Sequence, residues 1–174
     1  MKKDKDTEKR KDDRLKSVLQ KRAVDTWNAE DASMKRRHLP HLVAAEATYF
    51  VTFRARLLLP ASAREIILEE IRTLAADALQ LDVAVVMPDH VHMIFRLAHD
   101  ADLSRVLKLL KGRSARRINQ MLVREGAVWM NESFDHVIRN VEELRDKLEY
   151  IRQNPVKKGL VKNPEDYKWL LISE

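Results

Sequence analysis

Between Ala47 and Gln153 the apolar residues change period in a fixed succession, and that succession leaves few folds open. Ala47 to Arg54 (ATYFVTFR) alternates and is rich in aromatic and β-branched residues, which predicts a strand. Pro60-Ala61-Ser62 then opens a helix expected over Ala63 to Leu79, with Ile67, Ile71, Leu74 and Ala78 at helical spacing. Val83 to Met87 predicts a second strand, interrupted at Met87-Pro88-Asp89 because proline cannot donate to a ladder. His90 to Leu97 (HVHMIFRL) predicts a third. Leu103, Val106, Leu107 and Leu110 begin a second amphipathic helix reaching about Val123, with Gly112 as a weak point. A short strand around Phe134 to Ile138 follows. Asn140 caps a last helix from Val141 to about Gln153, which the Asn154-Pro155 pair is expected to end. The order β-α-β-β-α-β with a helix appended predicts an α+β fold of the ferredoxin-like kind. Its antiparallel four-stranded sheet would carry two helices on one face and an added C-terminal helix.

A chain of 174 residues, 45% hydrophobic and with only 3 glycines, holds one domain's worth of core. Residues 1–37 stand apart, with 13 basic and 8 acidic side chains and few apolar ones. They predict a charged basic arm, mobile or partly helical, ahead of a folded domain over 38–174. The arm serves either as extra grip on a nucleic acid or as a solubilising tail. The absence of cysteine excludes disulfides, thiolate zinc sites and cysteine nucleophiles. No apolar run reaches the roughly 18 residues of a membrane span, and the start of the chain is charged. The expectation is a cytoplasmic protein without a leader or a membrane partner.

The formal net charge of +6 lies mostly in the arm. Residues 103–124 nevertheless hold Arg105, Lys108, Lys111, Arg113, Arg116, Arg117 and Arg124 without one acid. Such a patch suits the neutralising of phosphates by counterion release. The competing reading is a solvated helix face, but solvation favours interspersed signs over a one-signed run.

Four residues carry candidate chemistry. In a strand, His90 and His92 leave the same face while Val91 points away. Two imidazoles side by side supply part of a divalent metal site with positions left open, although strand histidines also serve as ordinary hydrogen-bonding groups. Tyr150 and Asn154 stand four residues apart and so share one helix face. A tyrosine hydroxyl is a nucleophile when deprotonated or when its electrophile is metal-activated, and an Asn amide oxygen suits magnesium or manganese. The alternatives are a core-packed tyrosine ring and an Asn that only ends its helix. Trp129 and Phe134 are placed in the core rather than as stacking platforms for bases, and Trp169 is left open.

Taken together, VVMPDHVHMIF (85–95), LKGRSARRIN (110–119), VWMNESFDHVIRN (128–140) and YIRQNPVKKGLV (150–161) form one ordered set of motifs. From about Arg37 to Trp169 the chain resembles the REP-associated tyrosine transposases, relatives of the single-tyrosine HUH transposases of small insertion sequences. Val91 fits the hydrophobic position of HUH, and Asp89 stands where an Asn is common. The resemblance implies that His90, His92 and Asn154 hold Mg2+ or Mn2+. It implies that Tyr150 attacks a scissile phosphate in single-stranded DNA bearing REP-like hairpins, leaving a 5′-phosphotyrosine link that a 3′-hydroxyl later reverses. Arg105, Lys108, Lys111, Arg113, Arg116, Arg117, Lys157 and Lys158 would contact DNA, with the Lys111 to Asn119 segment near the catalytic centre. Asp135 and His136 match the motif without an assignable chemical step, which points to hydrogen bonding.

The resemblance also implies a monomer, with a dimer that exchanges Tyr150 between subunits as the alternative. A second functional reading is a domesticated hairpin-binding protein that no longer cuts. A histidine-triad phosphohydrolase is rejected because Ile94 occupies the place of a third histidine. A purely structural ferredoxin-like module leaves the His pair and the clustered basic residues unexplained.

Overall fold

The computed structural model describes residues 47–98 and 101–173. The arm expected over 1–37 lies outside the described residues. In chain order the elements are β1 (Thr48–Ala55), α1 (Ala61–Asp77), β2 (Leu79–Val86), β3 (His90–Leu97), α2 (Leu103–Met121), β4 (Trp129–Ile138), α3 (Val141–Lys157), a 3-10 turn (Pro164–Asp166) and β5 (Leu170–Ile172). One antiparallel sheet runs β4-β1-β3-β2-β5. Its first four strands realise the expected split βαβ order, with β1 and β3 at the centre.

Strand alternation sorts the side chains into two cores. Tyr49, Val51 and Phe53 of β1 and Val91, Met93 and Phe95 of β3 pack against α1 and α2. The intervening Phe50 and Ile94 face the other way, against Leu144, Leu148 and Ile151 of α3. A bulge between Leu81 and Val83 inverts the alternation of β2, so Val83 and Val85 also join the α3 side. Each of the three fully buried aliphatic residues of α3 contributes about 1.5–3 kcal/mol by burial. Apolar packing therefore docks this helix over the sheet face that carries His90 and His92.

The ends of α3 follow helix-terminus chemistry. Asn140 accepts from the Glu143 amide at 2.8 Å. Two acids in the first turn and Lys157 in the last complement the helix dipole. Asn154-Pro155 does not end the helix, contrary to expectation; Pro155 sits inside its final turn. A proline there forfeits one bond to the Ile151 carbonyl, and the stop comes at Gly159, whose φ of +68° suits the left-handed position. Leu160 N–H then bonds to the Pro155 carbonyl and Gly159 N–H to that of Val156, closing the end as a Schellman motif.

Other boundaries differ for local reasons. α1 begins directly after Pro60 and yields at Ala78, so Leu79 already belongs to a longer β2. α2 runs through Gly112 unbroken, because a solvent-facing glycine only lowers propensity. β4 spans ten residues rather than the expected five; its outer positions face solvent and erase the apolar alternation. β5, with three residues, is too short to show a period in the sequence and adds a fifth strand to the expected four.

Candidate active site

β3 delivers His90 and His92 to one face with ring centroids 4.6 Å apart, both largely buried. Across the ladder Thr52 pairs with His92 and Arg54 with His90. The Thr52 hydroxyl lies 2.6 Å from His92 Nδ1, and Phe50 stacks on the same ring at 5.7 Å. Asp89 Oδ1 sits 2.6 Å from His90 Nδ1. In the tautomer whose Nδ1–H donates to these oxygens, each Nε2 keeps its lone pair for a metal. Burial above all, then the nearby His90 and Arg54, pushes His92 down from 6.5 to about 3. The ring is therefore neutral at physiological pH, the form that ligates metals.

Helix α3 brings the other half. Tyr150 lies edge-on to His92 with ring centroids 5.3 Å apart, and the residue is 41% exposed, so it is accessible to a substrate. Lys157 Nζ stands 5.5 Å from the Tyr150 ring and Lys147 Nζ 5.0 Å from Phe50. Asn154, one turn beyond Tyr150, is buried.

Buried polar groups are ordinarily hydrogen-bonded. His92 Nε2 and Asn154 Oδ1 are both buried without a partner among the described residues. One is an imidazole nitrogen and the other a hard amide oxygen, so the donor set fits a divalent cation with positions left for substrate. No group of three His, Cys, Asp or Glu side chains that could hold a metal occurs among the described residues; the Asn154 oxygen, an amide, is outside those types.

The family described as "Transposase IS200 like" matches residues 41–154. The chain belongs to the IS200-like transposase family. It is 30% identical over 89 residues to the REP-associated tyrosine transposase of Escherichia coli, covering 51% of this chain and 51% of that one. A Haemophilus influenzae protein designated to the same REP-associated group is 29% identical over 94 residues, covering 48% and 53%. The chain thus spans about half the length of the curated relatives it matches. A solved REP-associated tyrosine transposase bound to a REP hairpin superposes with a TM-score of 0.62 at 26% identity, covering 79% of this chain and 81% of that one.

Set against the family's motifs, the structure brings His90, His92, Tyr150 and Lys157 together, with Asn154 buried on the same helix face. It does not bring the basic run as a whole to them. α2 packs on the opposite face of the sheet from α3, so the Lys111 to Asn119 segment, expected near the catalytic residues, lies across the sheet from α3 and approaches them through Lys111 at the β4 rim. Two of its cations are also committed elsewhere. Lys111 Nζ donates to the Met130 and Asn131 carbonyls and to Ser133 Oγ, and Arg117 bridges Glu69 and Glu70 of α1. Arg105, Lys108, Arg113 and Arg116 remain exposed. Arg124 donates to Asn119 Oδ1, and Lys158 is exposed at the end of α3.

Trp129 is buried and donates to Ser114 Oγ, as its core placement required. Phe134 is not in the core: it is 60% exposed. His136 is 2.6 Å from Glu143 Oε1, tying β4 to the first turn of α3, while Asp135 faces solvent. Sequence reasoning missed Thr52 as a partner of His92 and treated Asp89 as incidental. The signal for Thr52 lies only in the β1–β3 register. For Asp89 it was the carboxylate adjoining a candidate ligand histidine.

Proposed function

We propose that this chain cleaves and rejoins single-stranded DNA beside REP-like hairpins through Tyr150, with Mg2+ or Mn2+ held by His90, His92 and Asn154. The observation that carries the reading is the pair of partnerless buried atoms, His92 Nε2 and Asn154 Oδ1, beside an exposed tyrosine. The solved relative's hairpin ligand supports the choice of DNA.

A bound divalent ion supplies polarisation of the scissile phosphate and offsets its developing charge. Every other part falls to protein groups. Thr52 and Asp89 orient the two imidazoles through Nδ1. Phe50 and the α3 aliphatic residues fix the helix over them and keep one side dry. Tyr150 loses its hydroxyl proton and forms the Oη–phosphorus bond as the bond to the 3′-oxygen breaks; that oxygen leaves as a 3′-hydroxyl. The 5′-phosphotyrosine keeps the phosphodiester bond's energy, so attack by a 3′-hydroxyl rejoins DNA and frees Tyr150. Lys157, beside the Tyr150 ring, supplies a cation for the phosphate presented to that hydroxyl. Arg105, Lys108, Arg113 and Arg116 hold phosphates of the hairpin on the far face of the sheet, and Lys158 extends the cationic end of α3. The working form is a cytoplasmic monomer, with 1–37 as a basic arm beside a domain over 38–174.

The test is a denaturing protein gel after incubation with labelled hairpin oligonucleotides and Mg2+ or Mn2+. A shifted covalent band that vanishes in Tyr150→Phe supports the reading. Tight binding without any band favours the domesticated binder instead.

A further inference from the structure

Beside the catalytic face, β1 and the bulged start of β4 enclose an open concavity of about 630 Å³. Thr52, Arg54, Arg56, Met130, Asn131 and Phe134 line it. Its size falls within the roughly 300–1,000 Å³ of small-ligand sites. The concavity adjoins the histidines directly, since Thr52 is bonded to His92 and Arg54 pairs with His90 across the ladder.

Phe134 is the unexplained residue here. A phenyl ring left 60% exposed forgoes the burial that most such rings achieve. It is not loose, because it packs edge-on against Phe50 at 6.3 Å, and Phe50 in turn stacks on His92. Lys111 reaches round from α2 to hold the Met130 and Asn131 carbonyls and Ser133 Oγ, fixing the bulge on which the rim depends. Arg56 is steadied by donating to the Trp129 carbonyl. Two exposed guanidinium groups outnumber the single acid on the rim, Glu132. A held aromatic face with cations on one side is the arrangement that binds unpaired nucleotides, the base on the ring and the phosphates on the arginines.

We infer that this concavity is a stacking subsite for one unpaired nucleobase of the DNA strand presented to Tyr150, with Phe134 as the platform and Arg54 and Arg56 taking the adjoining phosphates. The inference rests on the proposed DNA-cleaving function and adds to it a specificity element outside the catalytic residues.

The experiment uses hairpins with a randomised single-stranded 5′ flank, 5-iodouracil replacing thymine, and the same hairpins without a flank. Photocrosslinks to the wild-type chain should map to Phe134. Phe134→Ala should weaken binding of the flanked hairpins by about five- to a hundredfold, the range of base–aromatic stacking, and leave blunt hairpins unaffected. Phe134→Trp should restore it. An exposed ring can be removed without unfolding the chain, and an unchanged melting temperature checks this. Equal affinity of Phe134→Ala and wild type for flanked hairpins would overturn the inference. So would a dimer that dissociates in Phe134→Ala with DNA affinity unchanged, since the ring would then be an edge contact between copies. The readout is binding, so Phe134-dependent affinity without covalent adduct would sink the cleavage reading and leave the subsite standing.

Discussion

Thr52 on β1 holds its hydroxyl 2.6 Å from Nδ1 of His92 on β3, and the pairing of these two residues across the ladder fixes that contact. A β-branched side chain in a strand has few rotamers, so little entropy is lost in making it. Its consequence is a neutral imidazole held in place through Nδ1, with Nε2 left without a partner among the described residues. Thr52→Val keeps the shape and removes the hydroxyl. The expected outcome is about ten- to a hundredfold weaker Mn2+ binding by titration calorimetry, with the fold intact. Unchanged affinity would mean the hydroxyl does not orient the ring.

Asp89 acts on the other imidazole, 2.6 Å from His90 Nδ1. Asp89→Ala should weaken metal binding by a similar factor. Asp89→Asn keeps an oxygen acceptor at that place, so its loss should be several-fold smaller. The ordering of the two variants in the same titration is the check.

Glu143 clamps β4 to α3 by accepting from His136 and from the Arg139 amide. Burial raises the pKa of its carboxyl, but the Arg139 N–H and His136 outweigh that and hold it below its ordinary 4.5. The folded chain thus binds this proton less readily than the unfolded chain. The stabilisation is present above about pH 4.5 and fades as pH falls through the lower folded-state value. Glu143→Gln should lower the melting temperature at neutral pH and flatten its fall on acidification. A parallel displacement of the whole curve would contradict this.

The basic residues of α2 should divide into two groups. Alanine at Arg105, Lys108, Arg113 or Arg116 should reduce the slope of log affinity against log salt by about one for each phosphate left without its cation. Arg117→Ala should leave the slope alone and cost about 1 kcal/mol or less in stability, since its ion pairs to Glu69 and Glu70 are partly exposed. Slopes that fall equally for Arg117 and Arg116 would reject the division.

Much of the fold is legible along the chain because the signals are local. Alternation in His90 to Leu97 announces both the strand and the shared face of its histidines, and Asn140 announces the start of α3. The departures share a different cause. Pro155 reads as a stop, yet a proline in a final turn costs a single bond, and Gly159 is the better signal. β4 is an edge strand with solvent on most of its side chains, so no apolar period marks its first half. The basic run is legible as a helix, but which face of the sheet it covers depends on tertiary packing. Thr52 and Phe134 gain their meaning only from the β1 ladders to β3 and β4.

Tyr150 is proposed as the nucleophile of a metal site built from His90, His92 and Asn154. The most direct test of this role is mass spectrometry of peptides from the chain after reaction with a hairpin oligonucleotide and Mn2+, followed by nuclease trimming. The expected product is a nucleotide joined by a phosphodiester to Tyr150, absent after metal chelation and in His90→Ala/His92→Ala. A nucleotide adduct on any other residue, or an adduct on Tyr150 that persists without metal and without both histidines, would contradict it.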